Sequence, residues 1–427
     1  MKKILKKIIP PKTLLFYHRM ISVLASLYYG FPAKKMTVIG VTGTKGKTST
    51  ANFIHSVLSA GGCKTGIIST ANMRIGEKEM INSYHMTMPG RFTIQRLMAE
   101  MVKEGCKYCV VETTSEGIKQ FRHTGVYYDI GVFTNLTPEH LPSHEGSFEK
   151  YKEAKGKMFA SLNSFRKKDV EKIIIANKDS KHADYFLQFK ADKKITFSLE
   201  GNGDFNIEGV RETNEGVAFK LNGKEFSISL PGKFNVYNAV PGIVIGRIAG
   251  IEDSLIMEGL SKIKVIPGRM ERIEEGQDFT VFVDYAHEKE SMTQALRAAR
   301  AITKGRVIVL LGAEGGGRDK SKRPAMGKIA GELADTVIVS NVDPYEDDPR
   351  EIIDDIVIAS KEVGKKQGVD LFAIEDRRAG ITKALFSAKK GDVVLITGKG
   401  SEQSMTVDGK EFSWDDRDVV KEELRKI

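Results

Sequence analysis

The sequence predicts an α/β protein built from two tandem domains, each on a mostly parallel sheet. Three observations predict it. A short β-rich apolar run, Met36–Val41, leads through a Gly/Thr/Lys loop into Ser49–Ala60, where Phe53, Ile54, Val57 and Leu58 recur at helical spacing. Two buried-strand patterns follow, Cys109–Glu112 and Ile130–Thr134, each ending in polar residues. A fresh series begins near Pro267: strand patterns at Phe279–Asp284, Val307–Gly312, Thr336–Asn341 and Asp392–Gly398, spaced by helical stretches. The expected division is an N-terminal helical segment over 1–35, a central domain over 36–266 and a C-terminal domain over 267–427, in keeping with the length.

Between the two series, residues 201–230 alternate with Gly201–Asn202–Gly203 and Asn222–Gly223 turns. That pattern predicts hairpins, read as a small antiparallel sheet attached to the first domain. The N-terminus is basic over Met1–Lys7 and apolar over Leu14–Pro32. Pro10 and Pro11 split the two parts, and His18 and Arg19 interrupt the apolar run, which argues against a signal peptide and a spanning helix. An amphipathic helix remains, either packed on the first domain or lying on an anionic membrane surface.

Hydrophobic residues make up 41% of the chain and charged residues 29%, as in a globular protein with a real core. With 66 Lys and Arg against 56 Asp and Glu, the net charge is +10. The cations are spread out and not interleaved with aromatics, so no nucleic-acid partner is expected. The three cysteines fit a reducing compartment. Cys106 and Cys109 form one CxxC without a second pair, better read as a buried pair beside a strand than as a zinc site.

Gly43-Thr44-Lys45-Gly46-Lys47-Thr48-Ser49 follows the first strand and opens a helix. Backbone N–H groups at a helix start hold phosphate oxygens, Lys47 can reach the β and γ phosphates, and the Thr48 hydroxyl can ligate Mg²⁺. Two residues separate Gly43 from Gly46 and five separate Gly40 from Gly46, so the general four-residue spacing is not met. The alternative is a chance glycine turn; the strand–loop–helix context and the GKT core argue against it.

Here the sequence resembles the Mur ligase family. VTGTKGKTST at Val41–Thr50 is similar to that family's nucleotide loop. In order along the chain, His85–Leu97, VETTSEGIKQFR at Val111–Arg122, the FTNL…HL…H…Y…AK…F run of Phe133–Phe159, and GKFNVYN at Gly232–Asn238 resemble segments of its MurE branch. So do PGRMERI at Pro267–Ile273, VDYAH at Val283–His287, GGRDKSKRPAM at Gly316–Met326 and TGKGSE at Thr397–Glu402. The resemblance covers nearly everything after residue 36 and implies a central P-loop ATPase domain followed by a Rossmann-like C-terminal α/β domain.

It also implies an activity: ATP-dependent joining of a carboxylate to an amine through an acyl phosphate. ATP and Mg²⁺ are the implied cofactors, and a muramoyl-peptide-type acid and a free amino acid the implied substrates. Thr48, Glu112 and His140 match magnesium positions. Lys155, in YKEAKGKMF, matches the lysine this family carbamylates; the alternative is an ordinary helix-surface lysine, as Lys152 and Lys157 are expected to be. Asn135 would support the phosphates, Asn235 and Asn238 would flank the adenine, and Arg269, Asp284 and His287 would reach the nucleotide from the C-terminal domain after closure. Thr87, Thr114 and Arg122 match acceptor-binding positions. Arg318, Gly398 and Glu402 match contacts to the incoming amino acid, with Lys399 a weaker candidate. A cytoplasmic, monomeric enzyme of cell-wall synthesis is implied.

Several positions depart from the pattern. Too few residues precede the first strand for a further domain of at least ~50 residues, so the domain that holds uridine diphosphate in MurE-type ligases is expected to be missing. The uridine end would then be held differently, by a partner, or be absent, and a lipid-linked acceptor is one reading. The Asn-Pro-Arg element that reads diaminopimelate stands here as Val342-Asp343-Pro344-Tyr345, and Tyr345 lacks the guanidinium for a second carboxylate. An added amino acid other than diaminopimelate is therefore expected. Glu346, Asp347 and Asp348 either favour a side-chain amine or form a solvated acidic loop. Thr114 replaces a Ser, Glu116 a His, and Ser401 the His of the usual KGHE. A folylpolyglutamate-type ligase and a non-catalytic nucleotide-binding scaffold are the competing functions; DYAH and GRDKSKRP oppose the first, and retention of Lys47, Thr48, Glu112, His140 and Lys155 together opposes the second.

Overall fold

The computed structural model describes residues 11–81, 84, 86–139, 141–213 and 216–427. The chain divides into two compact units. One comprises residues up to Val210 with 219–227 and 236–263; the other comprises 211–218, 228–235 and 264–427.

The first unit opens with helix α1 (Pro11–Tyr28) and is organised on strand β1 (Thr37–Thr42) and helix α2 (Lys47–Ala60). Strands β2 (Thr65–Ile68), β3 (Asn72–Ile75) and β4 (Lys78–Ile81) precede α3 (Arg91–Lys103). Then come β5 (Tyr108–Glu112), α4 (Ser115–Lys119), β6 (Ile130–Phe133), α5 (Phe148–Ala160), β7 (Ile173–Asn177) and β8 (Lys193–Ser198). Strands β9 (Phe205–Thr213), β10 (Gly216–Leu221) and β11 (Lys224–Ile228) complete an eleven-stranded mixed sheet, in the order β11-β10-β9-β8-β7-β6-β1-β5-β2-β3-β4.

β1 lies at its centre, parallel to β5 and β6, with Val41 opposite both Glu112 and Val132. Buried on both faces, these strands read as near-continuous apolar runs, which is why the sequence pattern located them. The same register brings the polar residues that follow β1, β5 and β6 to one sheet edge, where α/β sheets bind ligands. The hairpins expected over 201–230 exist, but they do not form a separate sheet: β9 pairs parallel with β8 and extends the large one. Turn chemistry specifies a hairpin locally, whereas the strand it joins is a tertiary choice.

The second unit carries a six-stranded sheet, in the order β12-β13-β17-β14-β15-β16. Its strands are β12 (Glu271–Ile273), β13 (Thr280–Asp284), β14 (Val307–Leu311), β15 (Thr336–Val339), β16 (Leu371–Ala373) and β17 (Val393–Thr397). All pairings are parallel except β12 with β13. Each face is covered by its own apolar cluster. A two-stranded ribbon, β18 (Ser404–Val407) with β19 (Lys410–Ser413), follows. β12, β16 and this ribbon are too short or too polar to stand out in the sequence. Cys106 and Cys109 are buried free thiols. No described helix is long and apolar enough to cross a membrane.

Candidate active site

The loop after β1 is built for close approach. A Cβ on Gly43 would stand 1.9 Å from the Thr134 hydroxyl oxygen. Gly46, the residue before α2, has a φ of 80°, and a Cβ there would meet Asn238 Oδ1 at 2.1 Å. The continuation of β6 pins the loop from beside it. The Thr44 amide donates to Asn135 O at 2.8 Å and the Lys45 amide to Asn135 Oδ1 at 2.9 Å. Asn135 Nδ2 and the Thr134 hydroxyl both donate to Lys45 O, at 3.2 and 2.7 Å. Thr44 Oγ1 accepts from the Thr137 amide at 3.0 Å and lies 3.1 Å from the Tyr151 hydroxyl. Thr44 and Asn135 are thereby engaged in holding the loop's shape, and α2 begins at Lys47, so its first N–H groups and dipole face the loop.

Lys47 Nζ donates to Thr44 O at 2.8 Å, and Lys45 pairs with Glu139 at 3.0 Å. Lys155 is not the surface lysine that was the alternative: it is 2% exposed. On α5 it shares the buried face with Tyr151, Ala154, Met158 and Phe159, while Lys157 points out and Lys152 pairs with Glu149. Its Nζ donates to Gly43 O at 2.7 Å and sits 4.6 Å from the centre of the Tyr151 ring. Burial, reinforced by the charge of Lys47 and opposed by Glu139 and Glu112, holds its pKa well below the ordinary lysine range.

Thr48 Oγ1 donates to Glu112 Oε2 at 3.0 Å. The Thr70 amide and hydroxyl donate to the same oxygen, at 2.8 and 3.0 Å, and Thr70 Oγ1 is 2.8 Å from Thr87 Oγ1. Glu112 is 2% exposed, against the usual fate of a lone glutamate after a strand. Thr48 and Glu112 present hard oxygen donors beside the loop, which fits Mg²⁺ held partly by phosphate oxygens. A protonated Lys155 would not ligate a cation; a carbamate there could. Among the described residues no three His, Cys, Asp or Glu side chains gather into a metal-binding group, and His140 lies outside the described residues.

On the neighbouring edge, Thr114 caps α4, accepting from the Gly117 amide at 3.1 Å. Arg122 donates to Met88 O and, at 2.8 Å, to Gln120 Oε1, tying together the segments that carry Thr87 and Thr114. His85 also lies outside the described residues. Asn235 Nδ2 donates to Pro231 O at 2.7 Å, and Asn238 abuts the loop at Gly46.

The C-terminal unit gathers its residues at the carboxyl ends of β13, β14, β15 and β17. Asp284 accepts from the Met270 and Ala286 amides at 2.7 and 2.8 Å. The Arg269 guanidinium lies 4.4 Å from the Tyr285 ring centre, and His287 Nδ1 is 2.7 Å from Tyr285 O. Lys399, the weaker candidate from sequence, is the hub of a buried network: its Nζ reaches Asp343 at 2.6 Å and Glu402 at 2.7 Å, and the Tyr285 hydroxyl donates to Glu402 at 3.1 Å. Burial, partly offset by Lys399, raises the Glu402 pKa; for Lys399 itself burial is outweighed by Glu402 and Asp343, which raise it. Gly398, with a φ of 110°, makes the turn from β17 into this network.

A second network escaped the sequence reading. Lys322 Nζ lies 2.9 Å from Glu314 and 3.2 Å from Glu288. Burial works to raise the Glu314 pKa, but His287, Lys322 and Arg318 outweigh it and bring it to about 2. Arg318, whose burial is overcome by Glu314, also bonds Tyr345, and its pKa is raised. Tyr345 sits at a φ of 56° and bridges to Val407. In the acidic run, Asp348 accepts from the Arg350 amide at 2.9 Å and caps the helix Pro349–Glu362, and Asp347 is 3.9 Å from Arg323. Part of that run is structural, a role neither sequence alternative contained.

A phosphate-binding loop beside buried oxygen donors, with a second parallel-sheet unit rich in paired charges, defines a nucleotide-dependent α/β enzyme. The Mur ligase middle domain matches residues 41–246, and the Mur ligase, glutamate ligase domain matches residues 268–400. The chain is 35% identical over 416 residues to the UDP-N-acetylmuramyl-tripeptide synthetase of Roseiflexus sp., covering 95% of this chain and 81% of that one. It is 36% identical over 413 residues to the UDP-N-acetylmuramoyl-L-alanyl-D-glutamate–2,6-diaminopimelate ligase of Bacillus licheniformis, covering 96% and 83%. A solved structure of a ligase with the latter name superposes with a TM-score of 0.62 at 28% identity, over 92% of this chain and 78% of that one. The chain belongs to the Mur ligase family, and is an ATP-dependent amide ligase of it.

Proposed function

We propose that this ligase adds an amino acid to the carboxylate of a muramoyl-peptide-type acceptor, in the cytoplasm, as a step of peptidoglycan assembly. The acceptor carboxylate attacks the γ-phosphorus of ATP; the bond to the β-phosphate oxygen breaks, releasing ADP and leaving an acyl phosphate. The amine of the incoming amino acid attacks the acyl carbon, and phosphate leaves as the amide forms. The loop amides of 43–48 and Lys47 bind and orient the triphosphate. Thr48 and Glu112 would hold Mg²⁺ together with the phosphates, and the metal would supply charge neutralisation at the transferring group.

The observation that carries this reading is the buried Lys155 amine beside Gly43. Burial and the neighbouring Lys47 favour the neutral, nucleophilic form of this amine. By adding CO₂ at nitrogen and losing one proton it would turn a would-be cation into an anionic oxygen donor suited to Mg²⁺. Lys399, Glu402 and Arg318 would receive the amino acid's charged ends. Tyr345 at the position that reads diaminopimelate favours an amino acid with a single carboxylate.

The test is phosphate release from ATP and Mg²⁺ with UDP-muramoyl dipeptide and a panel of lysine, ornithine and diaminopimelate. Amino-acid-dependent release is expected, strongest without the second carboxylate. ATP binding with no release under any amino acid contradicts the ligase reading on this acceptor, and strong diaminopimelate turnover contradicts the selectivity.

A further inference from the structure

Helix α1 is built the reverse of an ordinary surface helix, whose apolar stripe faces the core. Its most buried residues are the small Ser22, Ala25 and Ser26, beside half-buried Leu14, Leu15 and Ile21. Ser22 Oγ donates to Phe121 O at 2.8 Å, Ala25 is fully buried, and a Cβ at Gly125 would lie 1.9 Å from Ser26 Oγ. Its outward face carries Phe16, Met20, Val23, Leu24, Leu27 and Tyr28, with Phe16 65%, Leu27 60% and Tyr28 76% exposed. At about 100° per residue these fall in one stripe roughly 140° wide. Phe92 of α3 continues it, its ring 6.1 Å from that of Tyr28. Single exposed apolar residues need no account, but a contiguous stripe marks an interaction surface.

Charge indicates what covers the stripe. The 35 residues before Met36 hold eight Lys and Arg and no Asp or Glu, and the first acidic residue of the chain is Glu77. Arg19 is exposed at the edge of the stripe. Lys34 and Lys35, just beyond the helix, line an open cleft of about 420 Å³ with Lys107, Arg166 and Lys168. An apolar stripe with Arg19 at its edge, on a segment whose charged residues are all basic, is complementary to a surface that is apolar within and anionic at its rim, which is a lipid leaflet bearing phosphate headgroups. We infer that α1 seats this ligase on an anionic membrane surface, the stripe in the acyl boundary and the lysines and arginines against the headgroups. This goes beyond the proposed reaction and does not depend on the acceptor.

The test is co-sedimentation of the full chain with phosphatidylcholine vesicles and with vesicles containing phosphatidylglycerol. Binding to the anionic vesicles is expected, weakening as salt is added. The variant Leu24→Glu with Leu27→Glu should lose sedimentation while keeping the wild-type melting temperature and ATP binding. Arg19→Glu should weaken binding about fivefold or more. Met20→Ser with Leu27→Ser provides an uncharged second variant, expected to weaken binding too. Failure of the wild type to sediment, equal binding to neutral and anionic vesicles, or undiminished binding of the apolar-stripe variants would overturn the inference. So would a concentration-dependent dimer that the Glu variant abolishes in the absence of vesicle binding, which would assign the stripe to a second copy.

Discussion

The two units hold their lysines in different ways. Around the phosphate loop, Lys47 and Lys155 donate to the backbone carbonyls of Thr44 and Gly43, and Lys45 pairs with Glu139. In the C-terminal unit, Lys399 and Lys322 each lie between two carboxylates. A carbonyl orients a lysine side chain, and with the N–H groups of the helix start beside it the loop is set for a polyanion. Two carboxylates more than cancel one lysine, so the second site holds its charges in ion pairs, and a zwitterion can exchange into them one charge for another.

The largest expected effect tests the first half of that contrast. Lys155→Ala should lower turnover by at least about 10²-fold, the scale of losing one charge-stabilising group, while ATP affinity measured by calorimetry stays near wild type. Unchanged turnover would remove Lys155 from the metal region. The second half is sharpened by Lys399→Met, which leaves Asp343 and Glu402 buried without their cation. That should cost ~3–5 kcal/mol in denaturant unfolding and raise the KM for the amino acid more than that for ATP. Equal effects on both KM values would reduce Lys399 to a structural role.

A smaller effect is set by Glu314. Its folded pKa of about 2 lies below the ordinary 4.5, so ionisation favours the fold. The contribution is complete above pH 4.5 and is lost as the pH falls toward 2. Glu314→Gln should flatten that acid limb of the stability curve; an unchanged limb would mean that other carboxylates govern it. The smallest is Asp348→Ala, which should cost ~1 kcal/mol through the lost cap and leave amino-acid selectivity intact. A change of selectivity would return the acidic run to a recognition role.

The same contrast explains what could be read from the sequence. The first unit's site follows buried, parallel strands, so Glu112 and Asn135 fall at strand ends that apolar runs announce, and Thr48 in the helix that opens after the first of them. Lys155 was ambiguous as a single lysine, yet its spacing from Tyr151, Met158 and Phe159 places it on the apolar stripe of α5, a signal the sequence contained. The charge networks were not legible in that way. Asp343 and Lys399 follow β15 and β17, which are separated by β14 in the sheet, and Glu314 meets Lys322 across a loop. No local periodicity records such pairings. The inverted face of α1 was likewise hidden, because an apolar run shows that a helix is amphipathic and not which side it buries.

The central role assigned to Lys155 is uptake of CO₂ by its buried amine beside the phosphate loop. ¹³C NMR of the protein in ¹³C-bicarbonate measures this directly. A carbamate carbon signal that is present in the wild type and absent in Lys155→Ala is the predicted result. A fully active wild-type enzyme with no such signal would contradict it.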